Sequence, residues 1–225
     1  MLRLPILASP LRGYWWLPGS RGKVLRILGG AYEEEQTALF VRWVRPGATV
    51  IDVGAHVGYY TLLASILAGD TGTVWALEPE PTNAAFLRRH MSINHRGNVH
   101  VEELAVSDKA GTAQFAHGTG SGTGHLDAAG SIKVATVSLT EFCKARGIVP
   151  SALKIDVEGA EVPVLQGAMG MLESAAPVIF LSTHGADLHR RCLELLGEIG
   201  YTFLHIYDDA GINAEVLCLP AGVSA

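Results

Sequence analysis

The chain has 225 residues, enough for one large α/β domain whose core needs no disulfide or metal staple. Hydrophobic residues make up 48% and charged residues 17%, a balance that excludes a disordered chain. The formal net charge of −5, with no basic run, argues against nucleic acid as a partner, because phosphate neutralisation needs a Lys/Arg-rich face.

The first residues, Met1-Leu2-Arg3-Leu4-Pro5-Ile6-Leu7-Ala8, are apolar. The run is too short for a signal peptide and is broken by Pro5 and Pro10. No other apolar run approaches a membrane span. Cys143, Cys192 and Cys218 stand singly, without a C-x-x-C pair, so a reducing, cytoplasmic setting is expected. Residues 1–46 are read as an N-terminal extension or lid, with Glu33 and Glu35 opening either a helix over the cofactor or, as the plain alternative, a solvated helix face. Residues 47–225 are read as a Rossmann-like core, the two parts making a single domain over 1–225.

From Thr49 onward, short apolar runs alternate with helical patterns, as βαβ units with a parallel sheet do. Thr49–Val53 reads as a first buried strand after Pro46-Gly47, residues 60–68 as a helix that Gly69 closes, and Thr73–Leu77 as a second strand. Residues 81–94 form the next helix, with Pro81 suited to its first turn. Residues 98–103 alternate as a third strand. Residues 118–130 are rich in Gly, Ser and Thr and read as a mobile loop expected to close over an acceptor. Strands at 151–157 and 178–182 follow, with helices at 160–172 and 188–199. The last two runs, 201–206 and 214–219, are separated by a short turn only. That spacing permits an antiparallel hairpin but no helical crossover.

Asp52-Val53-Gly54-Ala55-His56-Val57-Gly58-Tyr59-Tyr60 stands where the first strand turns into its helix. Gly54 is suited to a close backbone approach to a ligand, and Gly58 to tight helix–strand packing. Twenty residues past Gly58, Glu78 ends the second strand, where doubly wound folds place a carboxylate for both ribose hydroxyls. A dinucleotide would want G-x-G-x-x-G for its pyrophosphate, yet here Asp52 holds the first position and would repel an anion. S-Adenosylmethionine carries an adenosine, an ammonium, a sulfonium and no phosphate. The charges of the turn select it.

The same residues carry a family resemblance. Tyr32-Glu33-x-Glu35, D-V-G-A-H-V-G-Y-Y, Leu77-Glu78-Pro79-x-Pro81, Asn94 and Ala105-Val106-Ser107-Asp108 occur in order. They are followed by Leu153-Lys154-Ile155-Asp156-Val157-Glu158-Gly159-Ala160-Glu161 and Leu165-x-Gly167-Ala168. The chain resembles the FkbM-type methyltransferases over nearly all of its length after residue 30. The resemblance implies a class I methyltransferase fold, with a mostly parallel seven-stranded sheet and an antiparallel C-terminal strand pair. It also implies methylation of hydroxyls on sugars, polyketides and other secondary metabolites. Two positions depart from the family pattern. Thr140 stands where an acid is usual, and Ser182-Thr183-His184 where E-x-H is common, both expected on the substrate side.

The cofactor set expected from these motifs is Glu33, Asp52, Gly54, His56, Gly58, Glu78, Pro79, Asn83, Ala105, Val106, Ser107 and Asp156. Asp156 and His184 are the candidate catalytic pair, His184 as a base because an imidazole titrates near neutrality. Asp156, Glu158 and His184 could gather a divalent cation, but no ligand spacing is visible and metal is left unassigned. A helix-terminus role for Glu158 and Glu161 is the plain alternative. The acceptor is expected to be a small-molecule or sugar hydroxyl, with no membrane partner and a homo-oligomer left open. The rival functions are a non-catalytic cofactor-binding scaffold and, against the evidence of Asp52, a nicotinamide dehydrogenase.

Overall fold

The computed structural model describes residues 2–20, 23–116, 125–126, 130–209 and 213–223. A strand pair, β1 (Leu4–Pro5) and β2 (Trp15–Trp16), is followed by helices α1 (Val24–Gly29) and α2 (Glu34–Trp43). Then come β3 (Thr49–Val53), α3 (Tyr59–Ala68), β4 (Thr73–Leu77), α4 (Pro81–Ile93) and β5 (Val99–Glu102). Four short strands follow: β6 (Ala105–Val106), β7 (Gly111–Ala116), β8 (His125–Leu126) and β9 (Ile132–Val137). The chain continues through α5 (Leu139–Arg146), β10 (Ala152–Ile155), α6 (Glu161–Ala175) and β11 (Val178–His184). It ends with α7 (Ala186–Glu198), β12 (Thr202–Asp208) and β13 (Asn213–Leu219).

Seven of the described strands form one sheet in the order β12-β13-β11-β10-β3-β4-β5. The five from β11 to β5 are parallel, and β13 runs antiparallel to both β11 and β12. The sheet expected from the sequence is therefore present, hairpin included. The chain winds outward from β3 through β4 to β5, then returns to place β10 on the other side of β3. The β3/β10 boundary is thus the switch point, and at such a crevice open α/β sheets bind ligands beyond their carboxyl ends.

A parallel strand covered on both faces buries successive residues on opposite sides. Val50, Val74, Ala152, Phe180 and Leu217 join one core with α2, α3 and α4. Ile51, Trp75, Leu153, Ile179 and Cys218 join the other with α5, α6 and α7. This alternation decides where polar residues go. Asp52, Lys154, Ser182 and Glu215 each share the parity of the first set, so the α3 face of the sheet becomes polar at its carboxyl edge.

The segment 104–150, read only as a loop and unassigned chain, holds a second sheet in the order β6-β9-β7-β8. Its own core is Ala105, Phe115 and Val134. Much of the expected loop, including 118–124, lies outside the described residues. Cys143, Cys192 and Cys218 are buried and free, and no described helix is long and apolar enough to cross a membrane.

The N-terminal segment is fastened to α4. Asn94 accepts from the Trp15 backbone N–H at 2.7 Å and donates to the Trp15 carbonyl at 2.9 Å. The Leu17 N–H donates to His90 Nε2 at 3.1 Å, so Nδ1 carries the proton and donates to the Val57 carbonyl at 2.7 Å. Trp16 stacks on the same ring, their centroids 3.7 Å apart. Burial, partly offset by the Val57 bond, lowers the His90 pKa from 6.5 to about 4. A neutral folded imidazole gives stability above pH 6.5 that is lost as pH falls toward 4, on the order of 3 kcal/mol. Asp52, Glu78 and Glu215, raised by burial, slope the other way, so a variant is needed to isolate the histidine. Unfolding midpoints measured from pH 7 to pH 4 are expected to fall less steeply in His90→Gln than in the parent. Parallel curves would remove His90 as the source.

Candidate active site

A cavity of about 860 Å³ opens at the switch point, bounded by the turns after β3, β4 and β10, the end of β11 and the start of α2. Gly54 shows why it forms there. At φ 78° its backbone lies so close to the carbonyl of Asp156 that an added Cβ would overlap the oxygen. The expected close approach exists, but its partner is the chain itself. Gly58, at φ 94°, packs against Leu87 of α4 and is not among the residues lining the cavity, so its close packing is helix–helix rather than helix–strand.

Glu78 follows β4 directly and is 4% exposed. His56 adopts φ 50° and directs its backbone N–H to Glu78 Oε2 at 2.7 Å. The Glu80 N–H reaches Oε1 at 2.9 Å, and the Asn83 side-chain amide approaches the same oxygen at 3.4 Å. Burial raises the Glu78 pKa to about 7 against these three hydrogen bonds, which lower it. Asn83 sits in the first turn of α4, which Glu80 caps by accepting from the Thr82 and Asn83 N–H groups. Asn83 Oδ1 is buried without a hydrogen-bond partner among the described residues.

On the sheet itself, Lys154 is the central charge. It is 1% exposed, donates to Ser182 Oγ at 2.7 Å and lies 3.4 Å from Asp156 Oδ2. Its ammonium also lies 5.3 Å from the centre of the Tyr60 ring. Burial alone would lower its pKa, but Asp156, Glu33, Glu215 and Asp52 outweigh that and raise it. Asp52 spends its carboxylate on the Thr61 hydroxyl at 2.5 Å, and burial raises its pKa to about 6. Glu215 stands across the strand pair from Ser182, its pKa raised to about 7 by burial first and then by Glu33. Glu33 precedes α2 at φ 43° and accepts from the Tyr60 hydroxyl at 2.9 Å.

At the far end, His184 closes β11 amid three carboxylates. Nδ1 lies 2.7 Å from Glu161 Oε1, and Nε2 lies 3.4 Å from Glu158 and 3.7 Å from Asp156. Burial lowers its pKa, but the Glu161 hydrogen bond and the charges of Asp156, Glu158 and Glu161 prevail and raise it. The surrounding carboxylates thus favour the protonated ring more than water does. Asp156, Glu158 and His184 present ligand atoms within 4.8 Å of one another, a convergence no spacing revealed.

Residues 52–203 match the methyltransferase FkbM domain. The chain belongs to the FkbM methyltransferase family. It is 32% identical over 159 residues to 31-O-demethyl-FK506 methyltransferase FkbM of Streptomyces tacrolimicus, spanning 55% of this chain and 60% of that protein. It is 29% identical over 178 residues to the hexuronic acid methyltransferase AglP of Haloferax volcanii, spanning 77% of this chain and 67% of that one. The chain therefore covers less than two thirds of the length of the first relative. The FkbM methyltransferase structure from Methylobacillus flagellatus KT is 15% identical, with a TM-score of 0.52 over 86% of this chain and 52% of that chain. A SAM-dependent O-methyltransferase from Thermotoga maritima is 11% identical, with a TM-score of 0.53 over 86% and 67%. These likenesses are of fold, and the fold is the class I methyltransferase sheet.

Of the residues expected in this FkbM-type site, Glu33, Asp52, Gly54, His56, Glu78, Pro79, Asn83, Ala105, Val106, Asp156 and His184 line the cavity. Ser107 does not. Its N–H is taken by the Val137 carbonyl, and its own carbonyl packs where Gly167 has no side chain. Thr140 is also displaced from the expected substrate side. It sits in α5, accepts from the Met171 N–H at 3.3 Å and touches Gly170, both on α6. Lys154, Glu215, Tyr60 and Phe115 line the cavity without having been singled out. A lysine inside the apolar run Leu153-Lys154-Ile155 was the available signal, since an uncompensated ammonium does not stay in such a strand.

Replacing Lys154 by Met should cost about 3–5 kcal/mol at neutral pH, because its carboxylate neighbours stay buried without their cation. The deficit should shrink toward pH 5 as Asp52 and Glu215 take up protons, which chemical denaturation at both pH values would reveal. Gly54→Ala should cost at least about 2 kcal/mol in the same assay, since it adds both a Cβ clash and an unfavourable φ. A near-neutral effect would mean that the two turns can separate.

Proposed function

We propose that this chain transfers a methyl group from S-adenosylmethionine to a hydroxyl of a small molecule or sugar. The observation that carries the reading is Glu78. Its Oε2 accepts only the His56 N–H, so one of the two lone pairs of that oxygen remains for a ribose hydroxyl, while Oε1 holds the Glu80 N–H and, at a long 3.4 Å, the Asn83 amide. Asn83 Oδ1, buried and without a hydrogen-bond partner among the described residues, is a further acceptor on the same wall. The carboxylates lining the cavity outnumber Lys23, Arg26 and Lys154, which suits a cationic cofactor and disfavours a pyrophosphate.

The residues that would hold the cofactor are Glu33, Asp52, Gly54, His56, Glu78, Pro79, Asn83, Ala105 and Val106. The segment before residue 47 serves as their cover through Tyr32 and Glu33. When bound, the cofactor supplies a methyl carbon already activated by its sulfonium. The protein's share is then alignment of the acceptor oxygen and exclusion of water. Asp156 and His184 would hold that oxygen at the end of the cavity away from Glu78, His184 being kept in place by Glu161. The name of one relative, acting on an O-demethyl position, supports an oxygen acceptor, and that of the other, acting on hexuronic acid, supports a sugar.

Calorimetry is expected to show S-adenosylmethionine and its demethylated product binding, and NAD not binding. Tight NAD binding with no response to the sulfonium compound would sink the reading. Glu78→Ala should weaken cofactor binding by about 10–150-fold, the equivalent of roughly 1.5–3 kcal/mol of charge-assisted hydrogen bonding. Hydroxyl donors bond more strongly to a carboxylate than to a neutral carboxyl, and burial pushes the Glu78 pKa up to about 7. Affinity should therefore rise as pH passes upward through 7, and Glu78→Gln should abolish that slope.

A further inference from the structure

We propose that Asp156, Glu158 and His184 bind one divalent cation of the oxygen-preferring kind, Mg²⁺ or Mn²⁺, at the acceptor end of the cavity. The ligand atoms already converge. His184 Nε2 is 3.7 Å from Asp156 Oδ1 and 3.4 Å from Glu158 Oε2. Adjacent ligands around a cation with bonds of about 2.1–2.4 Å lie roughly 3.0–3.4 Å apart and opposite ones roughly 4.2–4.8 Å, so the two histidine contacts need shifts of only a few tenths of an ångström and the two carboxylates, within 4.8 Å of each other, fit adjacent or opposite positions. Two carboxylates and one imidazole leave about three of six positions for water or acceptor oxygens.

A second observation points the same way. Glu161 is fully buried, and its Oε2 has no hydrogen-bond partner among the described residues. Its Oε1 holds His184 Nδ1 at 2.7 Å and accepts the Gly159 N–H at 3.0 Å. A carboxylate fixing one ring nitrogen, and so turning the other toward a set of acids, is the support that metal-bound histidines use. Plain helix-terminus charge, the alternative for Glu158 and Glu161, leaves the convergence of Asp156 and Glu158 on Nε2 unexplained. Lys154 partly balances Asp156 through Oδ2, on the side away from the histidine, leaving Oδ1 for the cation. The side chains concerned carry three carboxylates around one imidazole, and a divalent ion relieves their repulsion better than a single proton.

A cation here would sit where the acceptor hydroxyl is expected. It would bind that oxygen directly and lower its pKa, in preference to a neutral histidine acting as base. That catalytic meaning rests on the methyl-transfer reading above, whereas the binding site itself does not.

The test is Mn²⁺ titration of the full chain without cofactor, followed by the loss of the free-ion paramagnetic resonance signal. One saturable site per chain is expected. Asp156→Asn and His184→Gln should each weaken it by at least about 10-fold, and Glu161→Gln by about 10–100-fold through the support of the ring. Glu34→Gln and Glu35→Gln, at the acidic mouth of the same cavity, should leave it unchanged, and circular dichroism should show every variant folded. No saturable binding up to about 1 mM Mn²⁺, the weak end for oxygen-ligand sites, would overturn the proposal. So would equal binding in Asp156→Asn and His184→Gln, or losses in the mouth variants as large as in these. Calorimetry of the demethylated cofactor in EDTA reads the cofactor half separately, so failure of either half is visible without the other.

Discussion

Between the backbone of Gly54 and the carbonyl of Asp156 there is no space for one methyl group. The site depends on this contact. The turn after β3 carries His56, whose N–H orients Glu78, while the turn after β10 carries Asp156 and leads to Glu158. Parallel pairing of β3 with β10 fixes the strands in register, Lys154 beside Asp52, and the absent Cβ lets the two turns close on each other. A switch point in an open sheet ordinarily splays its loops apart to make a crevice. Here the two turns stay in contact at Gly54 and Asp156 while both line the cavity.

The same geometry concentrates negative charge, and Lys154 is what makes the concentration tolerable. Unpaired carboxylates in a space of low dielectric are costly, and two of them, Asp52 and Glu215, are pushed by burial to about 6 and 7. The lysine reaches them from a strand buried on both faces, with Ser182 accepting one of its protons. Where the family commonly carries an acid at 182, this chain has a hydroxyl, and a carboxylate stands directly across the strand pair at Glu215.

The cavity also has two chemically distinct ends. Near Glu78 and Asn83 the wall offers hydrogen-bond acceptors to neutral donors. Near His184 three carboxylates surround an imidazole and call for positive charge. A ligand with hydroxyls at one end and a cationic centre toward the other would meet complementary surroundings at both. Tyr32 and Glu33 of the N-terminal segment line this cavity, and the segment is held by hydrogen bonds to Asn94 and His90 rather than by apolar contact alone.

The central architecture was legible because local patterns determined it. The apolar runs at 49–53, 73–77 and 178–182, the helices between them and the short final turn specify a parallel sheet ending in a hairpin without reference to distant contacts. Asp52, Gly54 and Glu78 were legible because they lie within one βαβ unit, where sequence separation sets spatial relation. Strand parity puts Lys154 and Glu215 on the same face as Asp52 only once the register of the sheet is known, and that register came from the structure. The small sheet of β6 to β9 escaped because two of its strands are only two residues long and its partners pair across intervening chain. Only the tertiary structure decided that Gly54 serves Asp156, that Ser107 and Thr140 lie outside the cavity, and that His184 meets Asp156, Glu158 and Glu161. Those relations join residues from separate crossovers, and their distances depend on packing between the turns, which no linear spacing encodes.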